Sequence, residues 1–202
     1  MRRILFIALT LLSTLLPSWA HAWWQPDWAF RKPITVDGSP QGGAIGADAG
    51  RTPVLVRLHT GNFSFEGVSE TGSDLRFVAA DDKTVLNYQI EQFDPLLGMA
   101  LIWVDVPLVS ASAAQQIWMY YGNAKAPAAA NGQQTFDPDY TLVYHFGEEG
   151  VPARDSTAYG NHAQTQVPNV SGTVVGKGVQ FNGAALMPVS YTHLRAHETR
   201  GN

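Results

Sequence analysis

The chain has 202 residues, of which 13 are basic and 17 acidic, with a formal net charge of −4 and no cysteine. Its 45% hydrophobic and 15% charged composition is that of a globular protein. A disulfide, a thiolate metal site and a cysteine nucleophile are excluded, and without a Lys/Arg run longer than the Arg2-Arg3 pair, nucleic acid and an anionic membrane surface are not expected as partners.

The first 22 residues read as a targeting segment. Arg2 and Arg3 form a charged start, and residues 4–16 are an apolar run of 13 residues, short of the ~20 that span a bilayer. Pro17 and Ser18 break the run, and Ala20-His21-Ala22 has the small-x-small pattern of a cleavage site. Residues 1–22 are therefore expected to be a signal peptide cut between Ala22 and Trp23. The mature chain would be periplasmic or otherwise extracytoplasmic.

Strand follows strand from there. Residues 28–36 (WAFRKPITV) alternate and end in an Asp-Gly turn signal; residues 42–50 form a Gly/Ala loop. Residues 53–59 (PVLVRLH) place Val54, Val56 and Leu58 on one face, and the short run at 61–65 follows. Further strands are expected at 74–81, at 84–93 as one alternating strand, at 99–107 as a central strand covered on both faces, and at 115–123. Frequent turns, with 19 Gly and 12 Pro, predict an all-β fold, with a β-sandwich or jelly-roll domain over residues 23–123. Its expected aromatic core is Phe77, Tyr88, Trp103 and Trp118.

Residues 124–134 (AKAPAAANGQQ) are small, polar and Pro-bearing, the composition of a flexible linker. Beyond it, residues 135–187 show strands at 140–146 and 176–183. These are too few for an independent sandwich, since a two-stranded unit is marginal in water. This second domain is expected to be truncated.

The motifs "W…W.FRKPITV", "GSDLRFVAADDKTVLNYQIEQFD", "IWVDVP" and "IWMYYGN" make residues 24–123 resemble an uncharacterised domain family of exported bacterial proteins. In that family the domain often precedes a laminin-G/concanavalin-like jelly roll, and "TLVYHFGEE", "DSTAYGNHA" and "GVQFNG" resemble the opening of one. The resemblance further implies a following membrane part of the TolQ/ExbB/MotA proton-channel type. Such a full-length protein would sit oligomeric in the inner membrane.

In the tail, His193 and His197 lie at i and i+4 with Glu198 alongside, a spacing that metal sites use. The stretch VSYTHLRAHET (residues 189–199), however, resembles a translated sequencing-library adapter in all eleven positions. Residues 188–202 are therefore read as an adapter-derived artefact, and these three side chains are not expected to be ligands. Without both ends, residues 23–187 hold nine basic and sixteen acidic residues, a balance of −7.

No catalytic, metal or cofactor site is expected. His59, His145 and His162 are scattered, and Glu148-Glu149 reads as a solvated loop pair rather than a glycosidase dyad. Ser156 lacks a nucleophile-elbow context. In DSTAYGNHA, Asp155 and Ser156 are expected to bond nearby backbone amides, with Gly160-Asn161 supplying left-handed turn geometry. WWQPDW (residues 23–28) reads as an apolar staple, with a sugar-stacking platform as the alternative. The expected function is a non-enzymatic extracytoplasmic docking module for an envelope protein or glycan; the alternative is a secreted carbohydrate-binding module.

Overall fold

The computed structural model describes residues 24–136, 138–181, 183 and 187–189. The signal peptide, the Ala22/Trp23 cleavage site and the tail residues His193, His197 and Glu198 lie outside the described residues.

Two antiparallel sheets face each other in an all-β sandwich. One is four-stranded, ordered β1 (Phe30–Asp37), β7 (Ala114–Tyr121), β3 (Arg76–Val78) and β4 (Val85–Leu86). The other is three-stranded, ordered β2 (Gly50–His59), β6 (Met99–Val109) and β5 (Tyr88–Asp94). The period-2 pattern explains the core. On β6, Ala100, Ile102, Val104 and Val106 point inward and are at most 1% exposed. They meet Phe77 and Met119 of the opposite sheet, both fully buried. Each such side chain is worth about 1.5–3 kcal/mol on burial. As its apolar sequence predicts, β6 is the central strand of its sheet, and its other face is covered too: Leu101 is 6% and Asp105 8% exposed.

Several expected strands are altered. The strand at 84–93 is two: β4 pairs with β3 in one sheet, and β5 pairs with β6 in the other. The chain changes sheets at Asn87, whose carbonyl accepts from Asp105 N at 2.9 Å. Leu86 and Tyr88 flank this corner and are both buried, so simple alternation hides the crossing. The strand at 74–81 shrinks to β3 because residues 79–84 close a turn, with Asp82 at φ 54°. The run at 61–65 is not a strand: residues 60–62 form a turn and 63–65 have no regular structure, although Phe63 is buried. Beyond the sandwich, residues 140–146 make only the bridge Tyr144–Asp155. The expected strand at 176–183 is reduced to β9 (Gly178–Val179), paired with β8 (Asn169–Val170).

Residues 124–134 are held to the sandwich. Arg76 Nη2 donates to Pro127 O at 2.6 Å, and Asn131 N donates to Tyr88 O at 2.7 Å. Asn131 then caps a single helical turn, α1 (Gly132–Thr135), accepting from Gln134 N at 3.2 Å. Arg51 clamps this turn: its Nε bonds Asp105 at 2.8 Å and its Nη2 bonds Gln134 O at 2.8 Å.

The sandwich leaves β1 and β2 as edge strands of opposite sheets. Both are blunted against further pairing. Pro33 in β1 has no N–H to offer. On β2, the Asn62 carboxamide accepts from His59 N at 2.9 Å and donates to Arg57 O at 3.0 Å, occupying the place of a neighbouring strand.

Candidate functional site

The site lies on the outer face of β2–β6–β5, where residues 132–146 and the loop at 175–181 fold over it. A β-bulge makes it. Pairing of β5 with β6 shifts register between Ile90 and Gln92, so Glu91 is the extra residue. The bulge lets Gln92 pair on the outer face while Phe93 packs toward the core. It also aims the Glu91 carboxylate at Trp103.

Glu91 Oε2 accepts from Trp103 Nε1 at 2.6 Å and lies 3.2 Å from His145 Nδ1. Burial alone would raise the Glu91 pKa, but the bonds from His145 and Trp103 hold it below the ordinary value. A glycine is required directly above: a side chain at Gly176, where φ is 58°, would strike Glu91 Oε1. Phe136 closes the group, its ring centroid 6.4 Å from Trp103, 5.8 Å from His145 and 5.6 Å from Tyr140.

Around these side chains runs an open cleft of about 620 Å³, with Pro53, Tyr144, Val179 and Phe181 in its walls. Tyr140 and Phe181 are 38% and 54% exposed. Lys177 also lines the cleft and is ion-paired with Glu149, which lowers the Glu149 pKa. His145 Nε2 and Gln89 Oε1 are buried with no hydrogen-bond partner among the described residues.

The residues singled out from sequence fall in different places. His145 enters the cleft, whereas His59 and His162 use Nδ1 to accept from the backbone N–H of Gly61 and Asp155, at 3.1 and 3.0 Å. Glu148 Oε1 accepts from Arg154 N at 3.1 Å, and Glu148 and Glu149 face different partners rather than one cleft. Asp155 behaves as expected of a backbone organiser. It is 5% exposed and accepts from the amides of Val143, Thr157 and Asn161 at 2.9–3.0 Å. Burial works against its ionisation, yet these bonds keep its pKa lowered. Ser156 is a correction: its hydroxyl accepts from Gln89 Nε2 at 2.7 Å, not from a local amide. Gly160 is left-handed at φ 62°, but Asn161 is not.

Trp103 and Trp118 also need correction. Both are only half-buried and lie on outer faces, while Phe77 and Tyr88 are core. Trp118 carries Arg31 over its ring at 4.2 Å. Of the WWQPDW stretch, the Trp24 and Trp28 rings pack tilted with centroids 5.2 Å apart, Trp24 lies 5.7 Å from Tyr120, and Trp28 Nε1 donates to Asp74 O at 2.7 Å. They act as an apolar staple over the four-stranded sheet.

Glu91, Trp103, Phe136 and Tyr140 were not read from sequence as a site. A bulge leaves no composition signal, and the partners are brought together only by the fold-back of residues 131–146. Among the described residues, no group of three or more His, Asp or Glu side chains could hold a metal ion, and no helix is long and apolar enough to cross a membrane.

Residues 71–149 match the family model "Domain of unknown function (DUF2341)". The match runs past residue 123 and takes in Glu91, Trp103, Phe136, Tyr140 and His145. No curated protein and no solved structure matches the chain.

Proposed function

We propose that the chain is a non-enzymatic extracytoplasmic docking module and that the cleft over Glu91 and Trp103 is where it docks. The observation that supports this is the state of the polar groups there. Glu91 is packed beneath Gly176 and engaged by Trp103 and His145, so it organises an aromatic surface rather than presenting a reactive group. The exposed rings of Tyr140 and Phe181 offer apolar area to a partner.

The signal-like N-terminus and the resemblance of residues 24–123 to a domain of exported proteins support an extracytoplasmic site. On this reading the chain is the N-terminal part of a TolQ/ExbB/MotA-like proton-channel protein, docking an envelope partner onto which the motor acts. The test is the authentic gene read through the junction at Pro188. Three apolar spans of ~20 residues are expected downstream. A frame ending soon after the second domain, without such spans, would overturn the channel reading.

The exposed aromatic side chains of the cleft favour one second reading, a carbohydrate-binding module. It would use Tyr140 and Phe181, not the staple residues Trp24 and Trp28. A glycan array with a specific hit that Tyr140→Ala removes at unchanged melting temperature would place it first.

A further inference from the structure

We propose that the partner segment entering this cleft is basic: a Lys or Arg side chain of a partner protein inserts beside Trp103, Phe136 and Tyr140, toward the Glu91 carboxylate. The proposal rests on the docking reading above and adds the chemistry of the partner.

The outer faces of the sandwich carry a repeated device. Trp118 has the Arg31 guanidinium 4.2 Å from its ring centroid, and Trp28 has that of Arg76 at 5.3 Å. Both are within the range where a cation is drawn to an aromatic face. Trp103 is the outer-face tryptophan of the other sheet, and no Arg or Lys of the described residues is placed over it. Its ring lines the open cleft instead.

Charge points the same way. The Glu91 carboxylate is bonded by an indole and an imidazole, not by a Lys or Arg. The one lysine in the cleft wall, Lys177, is already paired with Glu149. Residues 23–187 as a whole carry nine basic against sixteen acidic residues, which steers a basic segment toward this protein and repels an acidic one.

The test compares two peptides titrated into the protein by calorimetry: acetyl-Val-Lys-Val-amide and its isostere with norleucine for lysine. The lysine peptide is expected to bind, with the norleucine peptide roughly tenfold weaker. About 0.5 M salt should weaken the lysine peptide selectively. Glu91→Gln should erase the preference for lysine. Because that variant can also loosen residues 131–146, Tyr140→Ala serves as the second variant; it should weaken the lysine peptide with an unchanged melting temperature. Equal binding of the two peptides overturns the basic-partner inference while leaving an apolar docking site. Binding of neither overturns the docking reading as well.

Discussion

Trp103 Nε1 lies 2.6 Å from Glu91 Oε2, joining the central strand of the three-stranded sheet to the bulge in its neighbour. The same oxygen is 3.2 Å from His145 Nδ1, in the segment that folds back over the sheet. One carboxylate thus ties together two strands and the residues beyond them. Trp103 is therefore an interface residue between the sandwich and residues 131–146, not a core residue.

Trp103→Phe should separate the ring from its N–H. The phenyl group keeps contact with Phe136, but the Glu91 carboxylate loses one donor while its side chain stays buried. A loss of about 1–2 kcal/mol is expected in urea unfolding. Trp103→Ala should cost more, yet stay below the ~3–5 kcal/mol of a fully buried tryptophan. If Phe proved as costly as Ala, the hydrogen bond rather than the packing would dominate this contact.

Stability should also depend on pH through Glu91. Its pKa in the folded protein is lowered from an ordinary 4.5 by His145 and Trp103, against the opposing effect of burial. A lowered carboxylate stabilises the fold above its unfolded value, and that contribution disappears as pH falls through the folded value. As pH falls below about 4.5 the urea midpoint of the unsubstituted protein should therefore fall more steeply than that of Glu91→Gln. Parallel curves would remove Glu91 from the acid response.

Asp155 is the corresponding anchor farther along the chain. Three amides and the Thr157 hydroxyl converge on its carboxylate, which fixes residues 143–161 without regular secondary structure. Asp155→Asn replaces one acceptor oxygen by an N–H₂ that faces existing donors, and a cost of about 1–3 kcal/mol follows. In hydrogen exchange, the amides of Val143, Thr157 and Asn161 should lose protection together, while those of β6 keep theirs. Retained protection at all three amides would show that the loop is held by other contacts.

What could be read in the sequence follows from how local its causes are. The near-continuous apolar run of β6 predicts its central place, because burial on both faces of a strand is written in consecutive residues. Asp155 was legible for the same reason: three of its four donors lie within six residues of it. The sheet change at Asn87 was not, since Leu86 and Tyr88 remain two residues apart and apolar whichever sheet they join. Trp103 and Trp118 misled because size suggests core. Here they lie outside, as lids over the two sheets, with imidazole and arginine partners 42 and 87 residues away. The cleft needed both the bulge at Glu91 and the return of His145 from 54 residues downstream, and no local pattern records either.

The edge of β2 gives the last prediction. An exposed edge invites a second chain, and here one carboxamide blocks it: Asn62 takes His59 N–H and supplies Arg57 O with a donor. Asn62→Ala removes both bonds at once and frees that part of the β2 edge. Pro33→Thr restores a donor on β1, which flanks the same open side of the sandwich. Each change alone should cost stability by no more than about 1–2 kcal/mol, since both residues are near the surface. Together they should raise the proportion of dimer and larger species in light scattering, because two opposed edges become competent for pairing. The unsubstituted protein, measured alongside, accounts for association through the exposed aromatic residues of the cleft. If the double variant shows the same mass distribution as the unsubstituted protein, Asn62 and Pro33 are incidental to edge protection, and the open side is kept from pairing by something other than these two residues.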